Sequence, residues 1–140
     1  MASLIAVLLA TVLLLLSGLH VFWAFGGRWG ISAAIPTVEP GDQRLFTPSP
    51  LATLAVAMAL LVASLLVLLR ADILSIMLPS WIPRLGVWSL AMVFALRAIG
   101  DFRYVGFFKR VRQTTFARMD TQFYSPLCVL LAVLAGLVGL

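Results

Sequence analysis

The chain has 140 residues, of which 63% are apolar and only 11% are charged. Soluble domains carry about 45–50% apolar and about 25% charged residues, so this composition excludes a soluble globular enzyme and an intrinsically disordered chain. The net charge is +5, and the single cysteine, Cys128, excludes an intramolecular disulfide and a CxxC redox pair. The length fits one domain over residues 1–140.

Four apolar stretches are long enough, or nearly so, to cross a bilayer as helices. They are residues 4–25, 51–69, 81–99 and 123–140. Only the third contains charges, with Arg84 near its start and Arg97 near its end. The sequence therefore predicts an all-α, polytopic membrane protein with four transmembrane helices in a bundle and no strands.

Two Ser-Pro pairs precede the second and fourth spans, at Ser49-Pro50 and Ser125-Pro126. Serine suits the N-cap of a helix and proline suits its first position, so each pair predicts a helix start. A start at Pro126 leaves the last helix short, so we expect it to begin about a turn earlier, or the bilayer to thin around it. The similarity of the two pairs is either coincidence or the sign of two parallel helical-hairpin repeats.

Basic residues are concentrated at one end of the predicted bundle. Eight of the ten adjoin the first and third connections: Arg28, Arg44, Arg97, Arg103, Lys109, Arg110, Arg112 and Arg118. Arg70 and Arg84 adjoin the second connection. The positive-inside rule then predicts that the first and third connections are cytoplasmic and that both termini are extracytoplasmic.

Aromatic and basic residues alternate in residues 102–112. This pattern suits a membrane interface, where cations meet anionic headgroups and rings lie at the boundary. We expect Arg103, Lys109, Arg110 and Arg112 to contact anionic lipid. Membrane lipids are thus the expected partners, and nucleic acid is not, despite a pI near 10.7.

Six polar or aromatic residues are expected at a similar depth near the basic end. They are His20, Trp23, Arg97, Asp101, Asp120 and Tyr124. The spacings 20/23, 97/101 and 120/124 place each pair on one helical face, provided that the helix continues that far. Ionisable groups at membrane depth are costly and normally face the bundle interior.

Two interpretations of these residues remain open. In the functional one they line a cytoplasm-facing pocket, where Arg97 binds an anionic group and His20 with Asp101 or Asp120 provides acid–base chemistry. In the structural one Arg97 pairs with Asp101, Asp120 caps the fourth span, and His20 binds a backbone carbonyl. No set of residues has the number and spacing of zinc ligands, so we expect no metal, and no cofactor motif occurs.

Three classes of function follow from these features. The first is an accessory or scaffold protein that associates with itself or with other membrane proteins, because the small residues in 132–139 allow close helix packing. The second is a binder of a lipid or other amphiphile, or an enzyme acting on one, through the residues above. The third, a small proton-coupled multidrug transporter, is disfavoured because the centres of the spans contain no acidic residue.

Several strings of the chain are similar to those of a known family. The more specific ones are Gly100-Asp101-Phe102, Val105-Gly106-Phe107-Phe108-Lys109 and Tyr124-Ser125-Pro126-Leu127-Cys128, alongside Gly18-Leu19-His20, Trp23, Gly26-Gly27 and Pro36. They resemble small bacterial four-helix membrane proteins known only as a domain of unknown function. The resemblance implies four spans in a bacterial cytoplasmic membrane, and it implies no activity.

Overall fold

The computed structural model of the protein describes residues 2–38 and 43–140. Its helices are α1 (Ala2–Ala24), α2 (Ile31–Ala34), α3 (Pro50–Arg70), α4 (Trp81–Ile99), α5 (Thr115–Met119) and α6 (Ser125–Gly139). A π-helical turn, Asp120–Tyr124, joins α5 to α6 without a break. The predicted all-α bundle of four long helices is confirmed.

The four long helices form a closed ring of neighbours. Helix α1 packs on α3, α3 on α4, α4 on α6, and α6 back on α1. Each contributes small or branched side chains to one shared core, including Leu13, Val67, Val87 and Leu131. Consecutive long helices are therefore also spatial neighbours.

The α1–α3 pair shows how the apolar sequence specifies its packing. Ala6, Leu9, Ala10 and Leu13 are buried at the i, i+3, i+4, i+7 spacing of a single helix face. The next turn continues that face with Ser17, whose hydroxyl donates to the Ala57 carbonyl at 2.7 Å. Ser64 on α3 donates in return to the carbonyl of Ala10 at 3.2 Å. Small hydroxyl residues thus bring two apolar helices into close contact without leaving a polar group unpaired.

The outer faces of the long helices remain apolar and exposed. Large side chains such as Leu15, Met58, Met92 and Val133 point away from the bundle. All four long helical runs, counting Thr115–Gly139 as one, are long and apolar enough to cross a membrane. A helix bundle that is surrounded by lipid is expected to expose apolar side chains on every side, as this one does.

Helix α3 begins as the sequence predicts. Ser49 is extended, its hydroxyl accepts from the amide of Ala52 at 3.1 Å, and Pro50 occupies the first turn. The connection before it contains a feature that the sequence does not predict, a two-residue antiparallel ladder of β1 (Thr37–Val38) and β2 (Gln43–Arg44). The ladder folds the connection back over the basic end of the bundle, where α2 and β1 contact α5.

The last helical run begins before the Ser125-Pro126 pair, as expected from the short helix that a start at Pro126 would leave, but it begins nearly three turns earlier and not one. The helical run begins at Thr115, and its N-cap is Thr114, whose hydroxyl accepts from the Ala117 amide at 3.1 Å. Pro126 has no amide hydrogen and its ring would crowd a carbonyl in a regular α-helix. The wider π turn before it, in which the Ser125 amide bonds to the Asp120 carbonyl, accommodates the proline inside a helix. The two Ser-Pro pairs therefore differ in structure, and an internal repeat is not shown.

Two glycines close the connection between α4 and α5. Gly100 and Gly106 both have positive φ, +87° and +88°, and their backbones touch each other. The Phe107 amide donates to the Ala98 carbonyl at 2.9 Å, which fastens the loop to the end of α4. Any side chain at either glycine would overlap backbone atoms, so this approach is open only to glycine.

Candidate functional site

Four of the six residues expected to converge line one cavity at the basic end. His20 and Trp23 reach it from α1, Arg97 from α4, and Tyr124 from the π turn. The cavity has a volume of about 580 Å³ and lies between α1, α4 and the α5–α6 run. We call it the Arg97 cavity.

Apolar side chains form most of the wall of the Arg97 cavity. They are Leu16, Leu19, Phe94, Phe123, Leu127 and Leu131, with Cys128 among them. Arg97 supplies a permanent positive charge against this apolar wall. The combination of one cation with an apolar chamber suits a ligand that has an anionic group and a hydrocarbon part.

Arg97 is held in place by Asp120. Its Nη2 donates to Asp120 Oδ1 at 2.8 Å. The Arg97 side chain stays 32% exposed while Asp120 is completely buried. Nη1 of Arg97 is buried and has no hydrogen-bond partner among the described residues, so the guanidinium retains capacity for a further acceptor.

Asp120 is the centre of a buried polar cluster. Its second oxygen, Oδ2, accepts from the amide of Gly106 at 2.9 Å, from Lys109 Nζ at 3.0 Å and from the hydroxyl of Ser125 at 3.2 Å. With the Arg97 bond, both oxygens are occupied by donors, two of them cationic. We call these five residues the Asp120 cluster; it joins α4, the α4–α5 loop and the start of α6.

The structure places Lys109 inside the fold, away from the interface to which the sequence analysis assigned it. Its side chain is only 1% exposed. Its ammonium donates to the Gly106 carbonyl at 2.9 Å, to Asp120 at 3.0 Å and to the Thr121 hydroxyl at 2.6 Å. Three acceptors match the three N–H groups of an ammonium, which explains why burial of this charge is tolerated.

The other three cations of that segment lie at the surface. Arg103, Arg110 and Arg112 are exposed. Arg103 stacks over the Tyr104 ring at 5.1 Å, and Arg112 Nε donates to the Lys109 carbonyl at 3.2 Å. Their contact with anionic lipid stays a prediction.

Asp101 lies apart from the Arg97 cavity, and the expected Arg97–Asp101 pair does not form. Gly100 ends α4 one residue too early for a helical i, i+4 contact. Asp101 Oδ1 instead accepts from the amides of Arg103, Tyr104 and Val105 at 2.7–2.9 Å. Partial burial works to raise the pKa of Asp101, but these three hydrogen bonds outweigh it and lower the pKa from its ordinary 3.8.

Asp120 also does not cap the last helix, contrary to the structural interpretation. The cap is Thr114, and Asp120 lies in the π turn. The ring of Tyr124, four residues on, packs against Phe116 with centroids 6.1 Å apart and borders the Arg97 cavity.

His20 and Trp23 form a paired wall of the cavity. His20 Nδ1 lies 2.7 Å from the Leu16 carbonyl, as the structural interpretation proposed, and the two rings meet edge to face at 5.2 Å. Because a carbonyl can only accept, Nδ1 carries a hydrogen and neutral His20 retains Nε2 as an acceptor. Trp23 is fixed by its indole N–H, which donates to the Trp29 carbonyl at 2.8 Å.

A second cavity, of about 590 Å³, is also bordered by His20 and Trp23. It is lined by the returning α1–α3 connection and the start of α3, including Ile35, Phe46 and Pro48. The sequence does not predict this cavity, because its wall forms only when the connection folds back. The run of turn residues at Pro48-Ser49-Pro50 was the available signal for that return.

Metal binding has no support in the described ranges, 2–38 and 43–140, where no three His, Cys, Asp or Glu side chains are grouped as ligands. The residues that converge are instead cationic, aromatic and apolar.

Four long apolar helices with lipid-compatible outer faces define a multi-pass helical membrane protein. Residues 13–135 match the family described as "Protein of unknown function (DUF3995)", and the chain belongs to that family. The resemblance noted from the sequence is thereby confirmed. No curated protein and no solved structure showed significant similarity to the chain.

Proposed function

We propose that the protein is a non-catalytic membrane protein that binds an amphiphile with an anionic headgroup in the Arg97 cavity. The headgroup would meet Arg97, and the hydrocarbon part would lie against the apolar wall. By the positive-inside rule the cavity would open toward the cytoplasmic leaflet of a bacterial inner membrane.

The observation that carries this proposal is the placement of a partly buried arginine in a mostly apolar cavity. Guanidinium groups bind phosphate and carboxylate through paired hydrogen bonds. Arg97 uses Nη2 for Asp120 and leaves Nη1 without an acceptor among the described residues. A hydrogen bond from Nη1 to a ligand oxygen would remove the cost of an unpaired buried N–H.

The alternative, acid–base chemistry on a lipid-like substrate, has less support. Asp120 is buried and both its oxygens are occupied by donors, so it is not free to act as a base. Asp101 is held by three backbone amides outside the cavity. His20 would then be left without a carboxylate partner, which favours binding over catalysis.

An accessory role alongside other membrane proteins remains part of the proposal. The small-residue segment 132–139 that suggested it is partly used within the chain, because Ala135 and Gly139 are buried and Gly139 faces the Trp88 ring. Gly136, where an added Cβ would meet open space, leaves part of this surface for association.

Native mass spectrometry of the purified protein tests the proposal. We expect wild-type protein to retain an anionic amphiphile. Leu127→Trp would fill the cavity from α6 and should raise the dissociation constant about tenfold, which corresponds to a loss of about 1.4 kcal/mol of binding free energy.

Leu130→Trp is the matched control, since Leu130 lies on the same helix and faces outward. It should retain the ligand at the wild-type level. Wild-type protein that carries no amphiphile, or equal loss in both tryptophan variants, would overturn the proposal.

A further inference from the structure

A third cavity, of about 590 Å³, lies at the opposite end of the bundle, between the end of α3 and the start of α4. The two basic residues that adjoin this connection, Arg70 and Arg84, both line it. An end that is poor in basic residues therefore places its two cations around a single chamber.

Both arginines have unused hydrogen-bonding capacity. Arg70 Nη2 donates to the Gly139 carbonyl at 3.3 Å, but its Nε is buried without a partner in the described part of the chain. Within residues 2–38 and 43–140, Arg84 has no ion pair within 4.0 Å and is exposed. Two forked donors around one space are suited to a phosphate group.

The same cavity contains a carboxylate. Asp72 follows α3 with a positive φ of +55°, and no basic group of the described residues lies within 4.0 Å of it. The hydroxyl residues Ser75 and Ser80 complete the polar lining. A chamber with two cations and one separate anion complements a ligand with a phosphate beside an ammonium.

The surroundings indicate a lipid rather than a small soluble molecule. Leu74, Ile76 and Leu78 line the cavity beside these charges, and Trp81 begins α4 there. Tryptophan at the end of a span is typical of the headgroup depth of a bilayer. We propose that this cavity binds the headgroup of an aminophospholipid, with its phosphate on Arg70 and Arg84 and its amine near Asp72. The proposal is independent of the Arg97 cavity.

A lipid titration followed by native mass spectrometry tests it. The titration uses the Leu127→Trp protein in nonionic detergent, so that the Arg97 cavity is filled and does not add to the lipid bound. The ligands are phosphatidylethanolamine, phosphatidylglycerol and inorganic phosphate. We expect phosphatidylethanolamine to bind most tightly and inorganic phosphate to bind least. Arg84→Gln should weaken both lipids about tenfold, and Asp72→Asn should weaken phosphatidylethanolamine alone.

Arg28→Gln is the control, because it removes an exposed arginine at the other end of the bundle to which no lipid contact is assigned. It should leave phosphatidylethanolamine binding unchanged. Unchanged lipid binding by Arg84→Gln, with thermal unfolding at the wild-type temperature, would overturn the proposal. If inorganic phosphate bound as tightly as phosphatidylethanolamine, the ligand would not be a lipid. If Asp72→Asn weakened phosphatidylglycerol more than phosphatidylethanolamine, Asp72 would not bind the amine.

Discussion

Arg97 and Asp120 are 23 positions apart in sequence, yet Arg97 Nη2 lies 2.8 Å from Asp120 Oδ1. Arg97 belongs to α4 and Asp120 to the π turn that leads into α6. The pair therefore connects two spans at the edge of the Arg97 cavity, and Asp120 fixes the guanidinium that borders it. Stability of the basic end and ligand binding should consequently depend on the same carboxylate.

Loss of the Asp120 carboxylate should be the most damaging single change at this end. Asp120→Asn leaves the ammonium of Lys109 buried without a counterion, and breaking a buried ion pair costs about 3–5 kcal/mol. We expect a large fall in the thermal unfolding temperature in detergent.

A double-mutant cycle separates charge from packing. Lys109→Met removes the buried cation, so the Asp120→Asn/Lys109→Met protein should lose less stability than the sum of the two single variants. Strictly additive losses would show that the Lys109–Asp120 contact contributes no coupling energy.

The glycine contact in the α4–α5 loop gives a second prediction. Gly106→Ala would place a methyl group on the Ile99 carbonyl in a backbone with φ of +88°. We expect a loss of about 1–3 kcal/mol from backbone strain alone, measured by unfolding in detergent.

Gly136→Ala is the control for this substitution. The residue is helical and a Cβ there meets no atom within 4 Å, so alanine should stabilise the protein by about 0.5–1 kcal/mol. A Gly106→Ala protein as stable as Gly136→Ala would contradict the close approach of the two loop glycines.

Asp101 should make the α4–α5 loop sensitive to acid. Its pKa is lowered in the folded protein, so its contribution to stability is complete above the ordinary value of 3.8 and is lost as the pH falls through the lowered value. Asp101→Asn keeps an acceptor oxygen but cannot titrate, whereas Asp101→Ala removes the acceptor at every pH.

Unfolding temperatures recorded from about pH 6 to about pH 3 check this sign. The difference between wild type and Asp101→Asn should shrink as the pH falls, and Asp101→Ala should be the least stable of the three at about pH 6. A wild-type advantage over Asp101→Asn that grows on acidification would be the opposite result.

The orientation of the bundle can be tested with two exposed serines at opposite ends. In a Cys128→Ser background, Ser75→Cys lies between α3 and α4, and Ser32→Cys lies in α2. Since eight of the ten basic residues lie at the Ser32 end, a membrane-impermeant maleimide should label only Ser75→Cys in intact cells. Labelling of Ser32→Cys before the membrane is opened would reverse the orientation.

Span number and bundle architecture could be predicted from the sequence because both depend on runs of apolar residues. Placement of His20, Trp23, Arg97 and Tyr124 at one depth needed only the order and length of the spans. The structure adds that all four line a common cavity.

Contacts that depend on loop geometry could not be predicted in this way. Helical spacing favoured Asp101 as the partner of Arg97, but Gly100 ends the helix before that contact can form. Lys109, the one lysine of the chain, resembled an interfacial cation because nothing local reveals its burial. Two features of the sequence could have indicated this geometry. Thr114 is a possible N-cap just before the observed helix start, and Gly100 and Gly106 are residues that permit a tightly closed loop.

Photo-crosslinking with an anionic phospholipid analogue, followed by peptide mass spectrometry, shows directly whether the Arg97 cavity holds an amphiphile. An occupant of the Arg97 cavity should crosslink to Phe94, Leu127 or Leu131, and Leu127→Trp should reduce those adducts while Leu130→Trp leaves them unchanged. Adducts confined to outward-facing residues such as Val133 and Leu137 would contradict the claim that this cavity holds a ligand.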